Sequence, residues 1–542
     1  MSENILVRGV NWIGDAVMTL PALRALRKAY PNSHLSLLVK PSVAAVFEHD
    51  PFIDEVILYE EKGIIGKLKL ARKLRKARFS MAILLQNAFD AALIAFLAGI
   101  PERIGYDRDR RGKFLTKRIP YNNDDRKVHH IDYCLNLLRS SGIPAEYAQP
   151  WLFLSLEERL AARKKLSVLK RPILGINPGA AYGSAKRWLP ARFAEVAGWF
   201  MRDTKGSVVM FGGRTEVDIT HEIEKIVAEH HSALNDQLSS PLLPPFSKGG
   251  RRGINQASSV PPGSLLNVAG KTSLRELISL ISECDIFLSN DSGPMHIAYA
   301  VGTPLVALFG STSPDLTGPV GKGNVVIKPD LPCSPCFDRR CKDNDMRCMY
   351  DISSDDVYLA IKKILPEKPA VFFDRDGTLC EDVNYLSRRE DFRPLPGIDD
   401  LAMLKDRGFR VIGVTNQSGI GRGLVDEGFA REINDVFVER FGFDDFLYCP
   451  HLPGEYCSCR KPEPGMLHNA RNKYGIDLKK SYVVGDKDAD IMLAKAVGAK
   501  ALLVRTGQQR DSADADYVVE GLREAVDLII NAVRTGDVGA RS

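Results

Sequence analysis

Short apolar runs recur along the chain, separated by longer segments in which hydrophobic positions return at helical spacing. Ile5–Val7, Leu35–Val39, Glu55–Leu58 and Met81–Leu85 predict the first strands, with helices between them. The rhythm restarts after Arg171 with Ile173–Ile176, Ser207–Phe211, Ile286–Leu288 and Leu305–Phe309. It restarts again at Ala370–Phe373, behind the interruption Leu365-Pro366-Glu367-Lys368-Pro369, and continues through Val411–Val414 and Tyr482–Val484. Strand alternating with helix is the signature of a parallel sheet covered on both faces, so the pattern predicts three successive α/β units.

Two stretches depart from the pattern. Between Ser239 and Ser264, 15 of 26 residues are Pro, Gly or Ser, which leaves too little apolar surface to offset the entropy of ordering. This stretch reads as a disordered insertion near 236–264, with a proline-rich docking peptide as the alternative. Lys62–Arg78 carries eight basic residues and no acid, above Ile64, Leu68, Ala71 and Leu74 at helical spacing. A basic amphipathic helix is predicted, open to two readings: a solvated face, or a surface that meets anionic lipid or a phosphorylated acceptor.

A length of 542 residues excludes a single small fold, and 44% hydrophobic with 26% charged residues is the composition of globular domains. The net charge of +6 is too small for a dedicated nucleic-acid binder. The start MSENILVRGV lacks a signal-peptide pattern, and Met81–Ile100 is interrupted by Gln86, Asn87 and Asp90, so neither a targeting segment nor a membrane span is expected. The expected setting is the cytosol, where ten clustered cysteines point to metal rather than disulfides.

Candidate chemistry is densest in the third unit. Asp374 and Asp376 follow an apolar strand in DRDGT, where open α/β sheets bind ligands; one can attack phosphorus while the other protonates the leaving oxygen. Thr415, Asn416, Gln417 and Ser418 follow the next strand as phosphate donors, Lys461 in CRKPEPG adds a fixed cation, and Asp486 with Asp490 follows a later strand. Cys449, His451, Cys457 and Cys459 form a Cys3His set suited to structural zinc, placed to hold the loop that carries Arg460 and Lys461.

This ordered set resembles the haloacid-dehalogenase superfamily of phosphatases over residues 368–535. The resemblance implies an aspartyl-phosphate on Asp374, acid and base work by Asp376, phosphoryl binding by Thr415 and Lys461, and Mg2+ held by Asp374, Asp376 through its backbone, and Asp486. The short gaps between these motifs leave no room for a large cap domain, so loops must select the substrate. C-P-H…C-x-C-R-K-P with DRDGT and TNQSGIGRG is similar to the heptose-bisphosphate 7-phosphatases, with the histidinol-phosphatases as the alternative; a non-catalytic regulatory unit is a third reading, opposed by the intact motif residues.

In the front units, Asp15 follows the first strand, at the start of a helix reaching about Ala29 and flanked by Trp12 and two glycines; a plain N-cap is the competing reading. Asn177-Pro178-Gly179 precedes Lys186, Arg187 and Trp188, and Asp291, Ser292, Gly293 and His296 run from a strand into a helix whose amides can cradle a diphosphate. RGVNWIGDAVMTLPALRALRKAYP, NPGAAYGSAKRWLP and LSNDSGPMHIAYAVGTPLVALFGSTSP resemble the ADP-heptose:lipopolysaccharide heptosyltransferases, above all the second transferase of the inner core, over residues 4–365. The resemblance implies a GT-B pair of Rossmann-like domains, 1–168 on the acceptor side and 169–365 on the nucleotide-sugar side, followed by the capless phosphatase unit.

It further implies metal-free inverting transfer with Asp15 as general base, Lys186 neutralising the departing diphosphate, and Asp291, Ser292, Gly293 and His296 binding ADP-heptose. Glu216 becomes a candidate for the adenosine ribose. The acceptor would be the lipopolysaccharide inner core at the membrane surface, reached by a cytoplasmic enzyme at the inner face of the membrane, and the rear unit would take heptose 1,7-bisphosphate. Cys333, Cys336, Cys341 and Cys348 stay open between zinc and reduced thiols.

Overall fold

The computed structural model describes residues 3–60, 63–234 and 263–535. Six parallel strands form each of three sheets. The first contains β1 (Asn4–Arg8), β2 (His34–Val39), β3 (Glu55–Leu58), β4 (Met81–Leu84), β5 (Glu102–Tyr106) and β6 (Lys117–Ile119). The second contains β7 (Ile173–Asn177), β8 (Ser207–Met210), β9 (Leu265–Asn267), β10 (Ile286–Asn290), β11 (Leu305–Leu308) and β12 (Asn324–Ile327). The third contains β13 (Ala370–Phe373), β14 (Arg410–Asn416), β15 (Asp445–Cys449), β16 (Tyr482–Gly485), β17 (Lys500–Val504) and β18 (Tyr517–Val519).

The spatial orders are β3-β2-β1-β4-β5-β6, β12-β11-β10-β7-β8-β9 and β15-β14-β13-β16-β17-β18. Counted from the first strand of each sheet, all three have the order 3-2-1-4-5-6, read from one edge or the other. The order reverses between β1 and β4, between β7 and β10, and between β13 and β16, which opens a crevice at the carboxyl ends of those strands. Central strands such as Ile173–Asn177 are buried at every position because helices cover both faces.

Two compact units divide the chain, Met1–Ile364 and Leu365–Ser542. Within the first, the helix Ile13–Ala29 of one sheet packs against the helix Gly293–Ala300 of the other. The approach is close: a Cβ on Gly293 would lie 3.1 Å from the Ile13 Cβ, and one on Gly14 would lie 2.5 Å from the His296 ring. Arg275 ties the same two halves, pairing with Glu158 at 2.6 Å and donating to the Ala45 carbonyl at 3.4 Å. In the second unit, the Glu367 and Lys368 amides both donate to the Gly475 carbonyl, so the joint residues are fixed onto the rear sheet.

Several expectations are corrected. Asp15 is not a helix cap: Trp12 occupies that position, no side chain caps the helix, and Asp15 sits inside the first turn. On the basic helix Gly63–Lys76, the buried stripe is Gly66, Leu70, Ala71 and Leu74, whereas Ile64 and Leu68 face outward. Leu70 and Leu74, four residues apart, set the inward face, and Ile64 and Leu68 fall beyond its edge. The proline-rich insertion lies outside the described residues except for its last two, and Ser264 is structured: its carbonyl accepts the Val208 amide beside β9.

Candidate functional sites

The rear site forms where β13, β14 and β16 end side by side. Asp374 follows β13 and is almost fully buried; Lys461 reaches its Oδ1 at 2.7 Å, Asp490 Oδ1 at 2.6 Å and the Val414 carbonyl at 3.1 Å. Burial opposes the charge on Lys461, but Asp374 and Asp490 more than compensate and raise its pKa. Burial pushes Asp486 up to about 6, with the Asp374 charge adding to the shift. Burial likewise raises Asp490 to about 7, although Lys461 pulls it down.

Asp374, Asp486 and Asp490 bring their oxygens together, and Asp486 Oδ1 and Asp490 Oδ2 have no hydrogen-bond partner among the described residues. An anionic oxygen set of this kind fits a hard divalent cation. The Asp376 carboxylate is not part of it. Arg375, itself fully buried, grips Asp376 with Nε at 3.0 Å and Nη2 at 3.1 Å, and Gln417 donates to Asp376 Oδ2 at 2.8 Å. The side chain of Asp376 is thus held by Arg375 and Gln417, in keeping with an expected cation contact through its backbone.

Gln417 also donates to Thr415 Oγ1 at 2.8 Å, which links the two strand-end loops. Asn416 exchanges two hydrogen bonds with the Lys461 backbone, at 3.0 and 3.2 Å, so its amide positions the lysine. Ser418, Arg460, Asn384 and Tyr385 line the same cavity of about 290 Å3. Asn384 and Tyr385 both have positive φ, 54° and 74°. Asp382 closes another part of the wall, accepting from Lys487 at 3.2 Å and Gln508 at 2.9 Å.

The sulfur and nitrogen donors of Cys449, His451, Cys457 and Cys459 all lie within 4.8 Å of one another. Cys459 Sγ is 3.3 Å from both Cys449 Sγ and His451 Nδ1. Arg460 is tied to this cluster through its amide to Cys457 Sγ at 3.3 Å and its guanidinium to the His451 carbonyl at 3.1 Å. Three thiols and an imidazole converging on one point fit a closed tetrahedral metal site. Cys333, Cys336, Cys341 and Cys348 do not bring their donor atoms together in this way among the described residues.

The front site lies where β1, β7 and β10 end. Lys186 Nζ is 2.5 Å from Asp291 Oδ2, Thr312 Oγ1 donates to the same oxygen at 2.6 Å, and His296 Nε2 is 3.9 Å from Asp291 Oδ1. Burial lowers the His296 pKa to about 4, so the ring is neutral. Asp15 is raised by burial and by Asp291, against the opposing charges of His130 and Lys186. Asn177 donates to Ser292 Oγ at 3.1 Å and to the Gly179 carbonyl at 3.2 Å, joining the loops after β7 and β10. Glu216 accepts the Gly213 amide at 2.8 Å and packs so tightly on Gly179 that a Cβ there would lie 1.9 Å from its Oε1.

Several residues that sequence reasoning did not single out belong to these sites. His130 opens the helix His130–Ser140, its Nε2 is buried without a hydrogen-bond partner among the described residues, and its ring stacks on Tyr133 at 5.7 Å. The charges of Asp15 and His130 act on each other, and Cys134, one turn on, also feels Asp15. Arg375 stood in plain view inside DRDGT, but its clamp on Asp376 depends on Gln417 and Asn434, 42 and 59 residues away.

The family profile of glycosyltransferase family 9 (heptosyltransferase) matches residues 67–245 and 251–346, and the HAD-hydrolase-like profile matches 458–525. The lipopolysaccharide heptosyltransferase 2 of Escherichia coli K12 is 30% identical over 335 residues, covering 60% of this chain and 87% of that protein. The D-glycero-beta-D-manno-heptose-1,7-bisphosphate 7-phosphatase of Haemophilus ducreyi is 39% identical over 180 residues, 31% of this chain and 94% of that one. The solved structure of E. coli ADP-heptose heptosyltransferase II superimposes with a TM-score of 0.54 at 27% identity, covering 67% of this chain and 98% of that one. The chain belongs to glycosyltransferase family 9, the heptosyltransferases, and carries behind it a second unit that belongs with the HAD-like heptose bisphosphate phosphatases.

Proposed function

We propose that the protein is a bifunctional enzyme of lipopolysaccharide inner-core synthesis. Residues 1–168 and 169–365 transfer heptose from ADP-heptose to a core acceptor, and residues 368–535 hydrolyse the 7-phosphate of heptose 1,7-bisphosphate. The observation that carries the reading is that two separately built sites in one chain each match enzymes of the same sugar.

In the transfer, Asp15 takes the proton of the acceptor hydroxyl, whose oxygen bonds to the anomeric carbon as the bond to ADP breaks, with inversion. Burial makes Asp15 a stronger base than an exposed carboxylate. Lys186 offsets the charge gathering on the diphosphate. Asp291 acts through its neighbours: it holds Lys186 and Thr312 on its own carboxylate, next in sequence to Ser292 and Gly293, while neutral His296 sets the spacing to Gly14. Glu216 holds the loops that would frame the adenosine.

In the hydrolysis, Asp374 attacks phosphorus, and the bond to the sugar oxygen breaks as Asp376 gives that oxygen its proton. Asp376 then takes a proton from water, which attacks the aspartyl-phosphate and frees phosphate. When held by Asp374, Asp486 and Asp490, magnesium would supply the charge that lets an anionic carboxylate meet an anionic phosphate. Zinc on Cys449, His451, Cys457 and Cys459 would fix the loop that delivers Arg460. The protein works in the cytoplasm against a membrane-borne acceptor; no helix among the described residues is long and apolar enough to cross a membrane.

Offering the protein heptose 1,7-bisphosphate and histidinol phosphate side by side tests the rear assignment, and preference for histidinol phosphate would refute it. Asp374→Asn should stop phosphate release and spare sugar transfer. Asp15→Asn should do the reverse, and undiminished transfer would remove the general base.

A further inference from the structure

The helix Gly63–Lys76 buries Gly66, Leu70, Ala71 and Leu74 against the first sheet, yet its outward face is not simply polar. Ile64 and Ile65 are 79% and 74% exposed, and Leu68 is exposed beside them. At about 100° per residue, these three share one arc with Lys69, Arg72 and Lys76, and Lys73 borders it. The helix carries no acidic residue. Lys67 is engaged by Asp90 at 3.4 Å and Arg75 by the Leu97 carbonyl at 2.6 Å. Lys69, Arg72, Lys73 and Lys76 have no ion pair among the described residues.

The neighbouring helix Phe89–Leu97 extends the surface. Phe89 and Phe96 are partly exposed, each 5.3 Å from the Phe114 ring. Lys113 lies over Phe89 and Phe114, and Arg103 over Phe96. Exposed isoleucines and phenylalanines thus lie among lysines and arginines, and Arg103 keeps its place over Phe96 by donating to the Phe114 carbonyl at 2.6 Å.

We propose that this face docks onto the surface of an anionic lipid bilayer, with Ile64, Ile65 and Leu68 entering the acyl boundary and the cations meeting headgroup phosphates. Charge chemistry selects the occupant. The buried centre of a protein–protein interface is depleted of lysine, because each ammonium would lose its water. At a bilayer the same side chains keep their charged ends among hydrated phosphates while their stems lie along the apolar boundary. The proposal deepens, and draws its purpose from, the reading of a membrane-borne acceptor. Docking itself is testable with no sugar present.

The test is co-sedimentation of the full chain with vesicles of phosphatidylglycerol and phosphatidylcholine in equal parts, against pure phosphatidylcholine. The unaltered chain should bind the anionic vesicles, bind the neutral ones at least tenfold more weakly, and release as salt is raised. Replacing Lys69 and Lys73 by Gln should weaken binding about 25-fold, roughly fivefold per cation. Ile64→Ser with Ile65→Ser should weaken it at least tenfold. Both variants should keep the unaltered melting temperature, because all four side chains are exposed. No binding by the unaltered chain, equal binding to neutral vesicles, or binding indifferent to both variants would each overturn the proposal. Self-association abolished by the serine variant, without vesicle binding, would assign the face to a second copy instead. Failure of the transferase reading would leave the vesicle result standing, and failure here would leave the transferase reading untouched.

Discussion

Lys461→Met isolates the electrostatics that hold the phosphatase site together. The methionine keeps much of the stem but removes an ammonium bonded to Asp374, Asp490 and the Val414 carbonyl, all buried. Removing one partner of a buried ion pair leaves an uncompensated charge and costs about 3–5 kcal/mol. The cost should depend on pH. Asp490 already stands near 7 with Lys461 beside it, and losing the lysine raises it further. A carboxyl whose folded pKa lies above its unfolded value stabilises the fold below the unfolded pKa, and that contribution is lost as pH rises through the folded one. One extra proton bound by the folded state is worth about 1.4 kcal/mol per pH unit, and because the parent also binds the Asp490 proton below about 7, acidification lets the variant regain on the parent only about 1.4 kcal/mol for each unit by which losing Lys461 raises Asp490. The expected result is a variant weaker than the parent at both pH values, with a gap that is narrower at pH 5 than at pH 8. Urea unfolding in magnesium-free buffer measures this. All four tryptophans, Trp12, Trp151, Trp188 and Trp199, lie in the front unit, so their fluorescence follows that unit and far-UV circular dichroism reports the rear one by difference. Equal destabilisation at pH 5 and pH 8 would refute the charge argument, as would failure of added Asp490→Asn to recover stability at pH 8.

Gly507→Ala puts a Cβ 2.1 Å from Asp486 Oδ2, so the carboxylate must move; the magnesium concentration for half-maximal phosphatase activity should rise about 10- to 100-fold, with transfer unchanged. His130→Gln removes a charge that lowers the pKa of Asp15, so the acid limb of the pH–kcat profile for heptose transfer should move to higher pH; an unmoved limb would mean that the two groups do not interact. Metal analysis should find about one zinc per chain, and Cys459→Ser should remove it and depress phosphatase activity while sparing transfer; full activity without zinc would refute the stapling of Arg460.

The central strands were legible because parallel strands covered on both faces read as unbroken apolar runs, as in Ile173–Asn177. Edge strands are less uniform: Lys117–Ile119 has a single apolar residue and is invisible in the hydrophobic pattern, whereas Glu55–Leu58 and Asn324–Ile327 keep a short apolar run although few or none of their residues are fully buried. Asp374, Asp486 and Asp291 directly after central strands, Thr415 near the end of β14 and Lys186 in the loop that follows β7 were found because the topology makes those strand ends a ligand edge. Residues acting from elsewhere were not. The Asp382–Lys487–Gln508 contacts span up to 126 residues, and the pull of Asp376 toward Arg375 and Gln417 is set by side-chain packing. Ile64 and Leu68 were misread for a related reason: periodicity identifies an apolar arc, but only the neighbouring sheet decides which part of it is covered.

The shared strand order explains why one architecture supports two chemistries. In each sheet the first and fourth strands are neighbours, and the loops that leave them diverge to opposite faces, which opens a polar crevice over their ends. In the rear unit that crevice is filled by its own loops and by Lys461, so Asp374, Asp376 and Lys461, the proposed nucleophile, acid and cation, are gathered over one sheet. In the front unit neither crevice is complete. The first supplies Asp15 and the second supplies Lys186, Asp291 and Thr312, and the close contacts at Gly14 and Gly293 bring the two ends together. A transfer between two substrates needs two binding edges, whereas hydrolysis needs one edge and water. The chemistry of the products also separates the activities. Removing the 7-phosphate leaves a heptose 1-phosphate, which lacks the adenylyl group of the transfer donor. An adenylyl transfer must therefore come between the two reactions, so the fusion joins steps that cannot hand a substrate directly from one site to the other.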